Sequence, residues 1–386
     1  MTAIIALPRV MRIGGGSSSE VAEVIGDLGA SRPLLVTDRF LMGTGAASAL
    51  LDELSRAGLE PAVWADTVPD PTTDSLVSGL SAVADHNADL LIGFGGGSPL
   101  DTAKALALLS VQGGEMKHYK APRQNAGPAL PVVGIPTTAG SGSESTQYTI
   151  ITDSATDEKM LCTGAAFLPA ATIVDFELTM SMPARLTADT GIDALTHAVE
   201  AYVSRKANIF TDGLCMTAIA MIGRHLRTAY ADGTDRVARE GMMIAATQAG
   251  IAFSNSSVAL VHGMSRPIGA HFHIAHGMSN AMLFPAVTRF SVPAAPSRYA
   301  DCARAWGCAS DTDDDLLAAE RFVDELVSLS RDLAVPTPEA FGIANDAWES
   351  KIPVMVEQAL ASGSPSNNPR IPSADDVAAV YREIYR

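Results

Sequence analysis

An α/β domain built on a parallel sheet, followed by an all-helical domain, is the fold class this sequence predicts. Three observations carry the prediction. Short apolar runs alternate with amphipathic stretches up to about residue 180; helical periodicity dominates after Met182-Pro183; and 386 residues exceed the size at which a single core usually divides. The expected domains are 1–182 and 183–386.

In the first part, Leu34–Thr37, Ala62–Trp64, Leu90–Phe94 and Pro131–Ile135 read as buried strands. Ala46–Ala57, Asp74–His86 and Pro99–Leu109 read as the helices between them. Regular alternation of this kind implies a parallel sheet covered on both faces, which binds ligands at the carboxyl ends of its strands. In the second part, Ala188–Ser204, Thr211–Ala229, Val237–Ser254, Ser256–Ser265, Gly277–Phe290, Asp314–Leu333 and Ala374–Tyr385 carry helical spacing, with Gly and Pro at the joins. Ser362–Arg370, rich in turn formers and without an apolar period, reads as a polar surface loop.

Composition removes several function classes. A formal net charge of −16 argues against binding nucleic acid or an anionic membrane, since both demand a basic surface. No uninterrupted apolar run is long enough to span a bilayer, and Met1–Arg12 lacks the pattern of a secretory signal, so a cytoplasmic protein is expected. Cys162, Cys215, Cys302 and Cys308 show no C-x-x-C spacing and read as reduced packing residues.

The densest chemistry lies between Gly191 and Asn280, which holds six of the eight histidines, among them His197, His262, His271, His273 and His276. Asp193 and His197 stand four apart in a helical segment, so their side chains leave one face a turn apart, as a ligand pair would. His262-Gly263 and His276-Gly277 form two separated His-Gly turns. Carboxylate oxygen with imidazole nitrogen suits zinc or iron(II).

Two loops in the first domain suit a nucleotide. Gly95-Gly96-Gly97-Ser98 follows a strand and opens a helix, so the backbone can approach a pyrophosphate and free amides can face it. Pro136-Thr137-Thr138-Ala139-Gly140-Ser141-Gly142-Ser143-Glu144 also follows a strand and offers small hydroxyls; capping of the next segment is its other explanation. Asp38, at the end of Leu34–Thr37, can accept from a ribose diol and repel a 2′-phosphate, or it can cap a turn. Arg39 beside it could attract a phosphate instead, so NAD is expected, with NADP the alternative.

Taken together, Gly95–Lys104, Pro136–Glu144, Gly191–Tyr202 and the His-Gly pair resemble, in order and over almost the whole chain, the iron-containing (group III) alcohol dehydrogenase family. The resemblance implies a dehydroquinate synthase-like architecture with a metal in the cleft between the domains. It implies Asp193, His197, His262 and His276 as ligands of one Fe(II) or Zn(II). On the cofactor side it implies Gly95, Gly96, Gly97, Ser98 and Asp101 at the pyrophosphate loop, Thr137, Thr138, Ser141 and Ser143 along the groove, Lys159 at the nicotinamide ribose, and Leu178 against the cofactor.

The sequence departs from the family pattern where many relatives carry a histidine four residues after the third ligand, for here stands Arg266. Either His271 or His273 could take over proton relay, or Arg266 could grip an anionic substrate end as guanidinium forks do. A salt bridge to one of the chain's many acids would explain it equally well. Arg266 lies one turn beyond His262 if the helix continues and on a turn if Pro267 ends it.

The implied activity is hydride transfer between a nicotinamide and an alcohol, with aldehyde or ketone as the other partner. The alternatives on the same scaffold are a maleylacetate-type or hydroxy-acid reductase and a dehydroquinate-synthase-like lyase; the lyase would need more lysine and arginine than this cluster holds. A structural metal-binding protein would leave both nucleotide loops unexplained. Expected partners are a small alcohol or aldehyde, with an anionic group if Arg266 faces it, and further copies of the chain in a homodimer or higher homo-oligomer.

Overall fold

The computed structural model describes residues 2–386. They form two compact units, Ile4–Ser181 and Met182–Arg386, the latter joined by residues 2–3.

In the first unit six strands, β1 (Val10–Ile13), β2 (Pro33–Val36), β3 (Ala62–Trp64), β4 (Leu90–Gly95), β5 (Val132–Pro136) and β8 (Ala171–Val174), form an all-parallel sheet in the order β1-β8-β5-β4-β2-β3. A separate antiparallel hairpin pairs β6 (Tyr148–Thr152) with β7 (Lys159–Thr163). The covering helices are α1 (Val21–Asp27), α2 (Arg39–Thr44), α3 (Ala46–Arg56), α4 (Ser75–His86) and α5 (Gly97–Gln112).

Alternate residues of each strand serve opposite faces. Leu34, Val36, Leu91 and Val132 pack with Val83 and Leu106 of α4 and α5, while Leu35, Ile92, Val133 and Ile173 pack with Val24, Leu50 and Leu54 of α1 and α3. Both faces being buried, the central strands read as continuous apolar runs.

The second unit is helical: α6 (Ala184–Val203), α7 (Ile209–Ala231), α8 (Arg236–Ser254), α9 (Leu260–Phe272), α10 (His276–Ser291), α11 (Pro296–Trp306), α12 (Asp315–Asp332), α13 (Pro338–Phe341), α14 (Asn345–Ala361) and α15 (Ala374–Glu383). No helix among the described residues is long and apolar enough to cross a membrane. Helix α6 packs against α7, α8 and α10 and is buried around nearly its whole circumference, which explains its lack of a polar face.

Two local expectations are corrected. The helix expected at Ser256–Ser265 starts instead at Leu260 and runs on through Pro267. The segment Ser362–Arg370 is no surface loop: Ser364, Pro365, Asn367 and Asn368 are buried. Asn367 donates to Ser257 Oγ (2.8 Å) and Asn368 to Ser291 Oγ (2.9 Å), so polar turn residues are consumed in long-range bonds that their composition does not reveal.

Candidate metal and cofactor sites

Helix α6 places Asp193, His197 and Glu200 at spacings of four and three, on one buried face. Helix α9 supplies His262 and the first turn of α10 supplies His276. From Asp193 Oδ1 the Nε2 atoms of His197, His262 and His276 lie at 3.9, 3.6 and 3.7 Å, and one donor atom from each residue falls within 4.8 Å of every other. Tetrahedral bonds of about 2.0–2.2 Å would separate ligand atoms by about 3.3–3.6 Å, near the three distances from Asp193, so this donor set suits one divalent ion. Three of the four side chains are at most 7 % exposed and His276 is 37 % exposed, so the centre is open on the His276 side.

The electrostatics favour a cation. Burial alone would raise the Asp193 carboxyl, yet His197, His276 and His262 hold it well below the usual carboxylate range. Burial would likewise lower His262, and the bonds it makes to Asp193 and Glu200 hold it above its ordinary value. The carboxylates that attract a proton here would equally attract a metal.

Glu200, to which the sequence reading gave no role, accepts three bonds inside the protein. They come from the backbone N–H of Ala259 (2.8 Å), the backbone N–H of Val261 (2.5 Å) and His262 Nδ1 (2.7 Å). Holding the proton on Nδ1 leaves Nε2 of His262 as a lone-pair donor facing Asp193. Its only sequence signal is position, three residues beyond His197 on the ligand-bearing face. Asn280, one turn beyond His276, was likewise missed; its Nδ2 donates to Asp193 Oδ1 at 2.6 Å.

Neither His-Gly pair is a turn. His262-Gly263 lies inside α9 and His276-Gly277 opens α10. Glycine is there for close approach: a Cβ on Gly277 would stand 2.5 Å from the backbone oxygen of Asp189 on α6, and one on Gly263 would stand 2.7 Å from Pro365 Cγ. The glycines let the helices that carry His262 and His276 close on their neighbours.

The other second-unit candidates do not join the four donors. Arg266 is half-buried within α9, one turn past His262, since the helix continues through Pro267. His271 pairs with Gln358 Oε1 through Nε2 at 2.9 Å. His273 is exposed and caps α9 with φ of 55°.

In the first unit the parallel sheet brings most nucleotide candidates to one edge, at the carboxyl ends of neighbouring strands. Leu178 follows β8, Thr137–Ser143 follow β5, Gly95 ends β4 with Gly96–Ser98 after it, and Asp38 follows β2. The two loops touch, with Thr137 N donating to Gly95 O at 2.9 Å. Helix α5 starts at Gly97 with no side-chain cap, so no capping side chain competes with an anion for its first amides.

Asp38 caps α2 by accepting from Leu41 N (2.9 Å), and Arg39 pairs with Asp66 (2.7 Å). Asp101 is turned inward, its Oδ1 accepting from Ser143 Oγ (2.6 Å) and its Oδ2 from Ile150 N (2.9 Å). Lys104, fully buried, joins that network by donating to Ser143 Oγ at 2.9 Å and to Tyr148 O at 2.8 Å. These bonds make Asp101, Ser143 and Lys104 the props beneath the loops. Lys159 lies on β7, off the sheet edge, in an ion pair with Asp70 (3.0 Å).

Comparison with known proteins agrees with this geometry. Residues 8–176 match the model for iron-containing alcohol dehydrogenase, and residues 187–385 match that for the C-terminal part of the Fe-containing alcohol dehydrogenase family. The chain is 36 % identical over 382 residues to the 1,3-propanediol dehydrogenase of Klebsiella pneumoniae, covering 98 % of each protein. It is 35 % identical over 377 residues to the NAD-dependent methanol dehydrogenase of Bacillus methanolicus, covering 97 % of this chain and 98 % of that one. A crystal structure of 1,3-propanediol oxidoreductase superposes with a TM-score of 0.96 at 35 % identity, covering all of both chains. The buried Asp-His₃ centre, the paired loops on a parallel sheet and these matches together place the chain in the iron-containing alcohol dehydrogenase family.

Proposed function

We propose that this chain interconverts a small alcohol with its aldehyde or ketone, using NAD and one divalent metal, Fe(II) or Zn(II), held by Asp193, His197, His262 and His276. The observation that carries the proposal is the convergence of those four donors within 4.8 Å, three of them buried, in a chain of this family. A cation held there would supply Lewis acidity toward an alcohol or carbonyl oxygen, and the nicotinamide would supply the hydride acceptor or donor.

The chain's own residues do the positioning. Glu200 fixes the His262 tautomer, and the partly exposed His276 marks the side from which substrate oxygen enters. The capless start of α5 and the hydroxyls of Thr137, Thr138 and Ser141 receive the cofactor's phosphates and riboses. Asp38 supports NAD over NADP because a carboxylate at that strand end opposes a 2′-phosphate, while Arg39 is occupied by Asp66. Four cysteines, none in a disulfide, suit a reducing cytoplasm. Assembly with further copies of the chain, as a homodimer or larger, belongs to the same proposal.

The test is NADH absorbance with a panel of alcohols and aldehydes, run beside elemental analysis of protein purified without added metal. Turnover with about one equivalent of iron or zinc is expected. Protein that turns over fully when metal-free would refute the proposal.

Arg266 extends the reading to substrate choice. Set in α9 one turn from His262, it suits an anionic substrate end, so aldehydes carrying a carboxylate, phosphonate or sulfonate should show higher kcat/KM than neutral ones of equal length. Arg266→Met should remove that difference, a loss of about 2 kcal/mol for the anionic substrate alone. Equal loss on both would make Arg266 structural.

A further inference from the structure

Asn280 is wholly buried and sits against three of the four ligands. Its Nδ2 lies 2.6 Å from Asp193 Oδ1 and 3.2 Å from Nε2 of both His262 and His276. Its Oδ1, also buried, has no hydrogen-bond partner. The amide therefore turns two hydrogens toward three lone pairs and leaves its own lone pairs unused. Buried amide oxygens are seldom left so, because each forgone bond costs stability.

The lone pairs that Nδ2 faces are those proposed to hold the cation. A cation among them would meet the positive edge of the amide, which is repulsive. Turning the amide by half a rotation exchanges nitrogen for oxygen with almost no change of shape, and the same reach then presents a hard neutral donor, of the kind divalent metals accept. His276 and Asn280 are four apart on α10, so one helix face delivers both.

The geometry points to Asn280 as a fifth side chain of the metal centre, presenting its amide oxygen to the bound cation and setting how tightly that cation is held. This rests on the Asp-His₃ reading of the site. It goes beyond that reading in naming a residue that the donor cluster itself does not include.

Zinc affinity, measured on metal-stripped full-length protein by competition with a chromogenic chelator, tests the inference without reference to turnover. Wild type and His262→Ala examine the underlying site: tight binding by the first and loss in the second are expected, and equal affinity in the two would remove the site itself. With the site standing, Asn280→Ala should weaken zinc about 10- to 100-fold, the range seen when partners of metal ligands are removed. Asn280→Asp, which keeps an oxygen at the same reach and loses the N–H, should bind at least as tightly as wild type. Asn280→Ala within twofold of wild type would overturn the inference. So would Asn280→Asp as weak as the alanine variant, because the amide would then matter only as an N–H donor to Asp193. Should the alanine variant fail to fold, the nearly isosteric aspartate variant decides alone, and Asn280→Asp binding zinc about 10-fold or more weaker than wild type would overturn the inference.

Discussion

Replacing Gly277 by alanine sets helix propensity against packing, and the structure says which prevails. By propensity alone, Gly→Ala in a helix stabilises by about 0.8–1 kcal/mol. The added Cβ, however, would stand 2.5 Å from Asp189 O and 2.8 Å from Asp189 C, where ordinary contact begins at 3.4 Å. The obstacle is the backbone of α6, which cannot swing aside, so α10 must withdraw by about 0.9 Å. Asp193 lies one turn along α6 from Asp189, and His276 is the residue beside Gly277. Their donor atoms, now 3.7 Å apart, would separate toward about 4.6 Å, well past the spacing of about 3.3–3.6 Å that tetrahedral bonds of about 2.0–2.2 Å set. Gly277→Ala should therefore destabilise the protein by about 1–3 kcal/mol and weaken zinc at least 10-fold. Thermal unfolding of the stripped protein and chelator competition measure the two effects separately. A variant that melts at or above the wild-type temperature and binds zinc within twofold would refute the reasoning.

Glu200→Gln offers one oxygen to three N–H donors, so at least one buried donor loses its acceptor; a loss of about 1–3 kcal/mol in stability and about 10- to 100-fold in zinc affinity is expected, read by denaturant unfolding and metal titration. Asp38→Gly should raise kcat/KM for NADP relative to NAD, and a wild type already preferring NADP would contradict the Asp38 assignment. Burial holds the Lys104 ammonium down at about 8, against an ordinary 10.5, with Asp101 and Glu144 opposing the shift. Between those values the unfolded chain binds more protons than the folded one, so this group's contribution to stability rises with pH across that window. Wild type should gain about 3 kcal/mol relative to Lys104→Met between pH 8 and 10.5, and a difference that is flat or falls with pH would show that Lys104 is not held as described.

How far the sequence could be read follows from where each residue's partners lie. Strands β2, β4 and β5 were legible because sheet faces buried on both sides demand unbroken apolar runs, as in Leu90-Leu91-Ile92. Strand β1 was not: it is an edge strand, only partly buried, with Arg12 in its middle. Hairpin β6-β7 alternates buried and half-buried residues over five positions each, too short to stand out. In the second unit, Asp193 and His197 announce themselves because helical spacing is local. Glu200 and Asn280 do not, because what distinguishes them is a bond to a residue 62 or 87 positions away. The start of α9 was misplaced for the same reason: Ala259 N and Val261 N are claimed by Glu200, and Ser257 and Val258 by Asn367.

The buried segment around Pro365 also gives the proposed metal centre a timetable. All four ligand residues have been synthesised once His276 is made, yet Pro365 rests on Gly263, and Asn367 and Asn368 tie down the approach to α9 and the end of α10. Those residues emerge from the ribosome roughly ninety positions later, a delay on the order of ten seconds. The sheet unit, complete at Ser181, can fold during that interval, whereas the ligand helices must wait for the tail before they are clamped. If Asp193, His197, His262 and His276 hold a metal as proposed, its capture comes late in the life of the chain, and a protein cut after Ala361 would keep all four residues and hold the metal poorly.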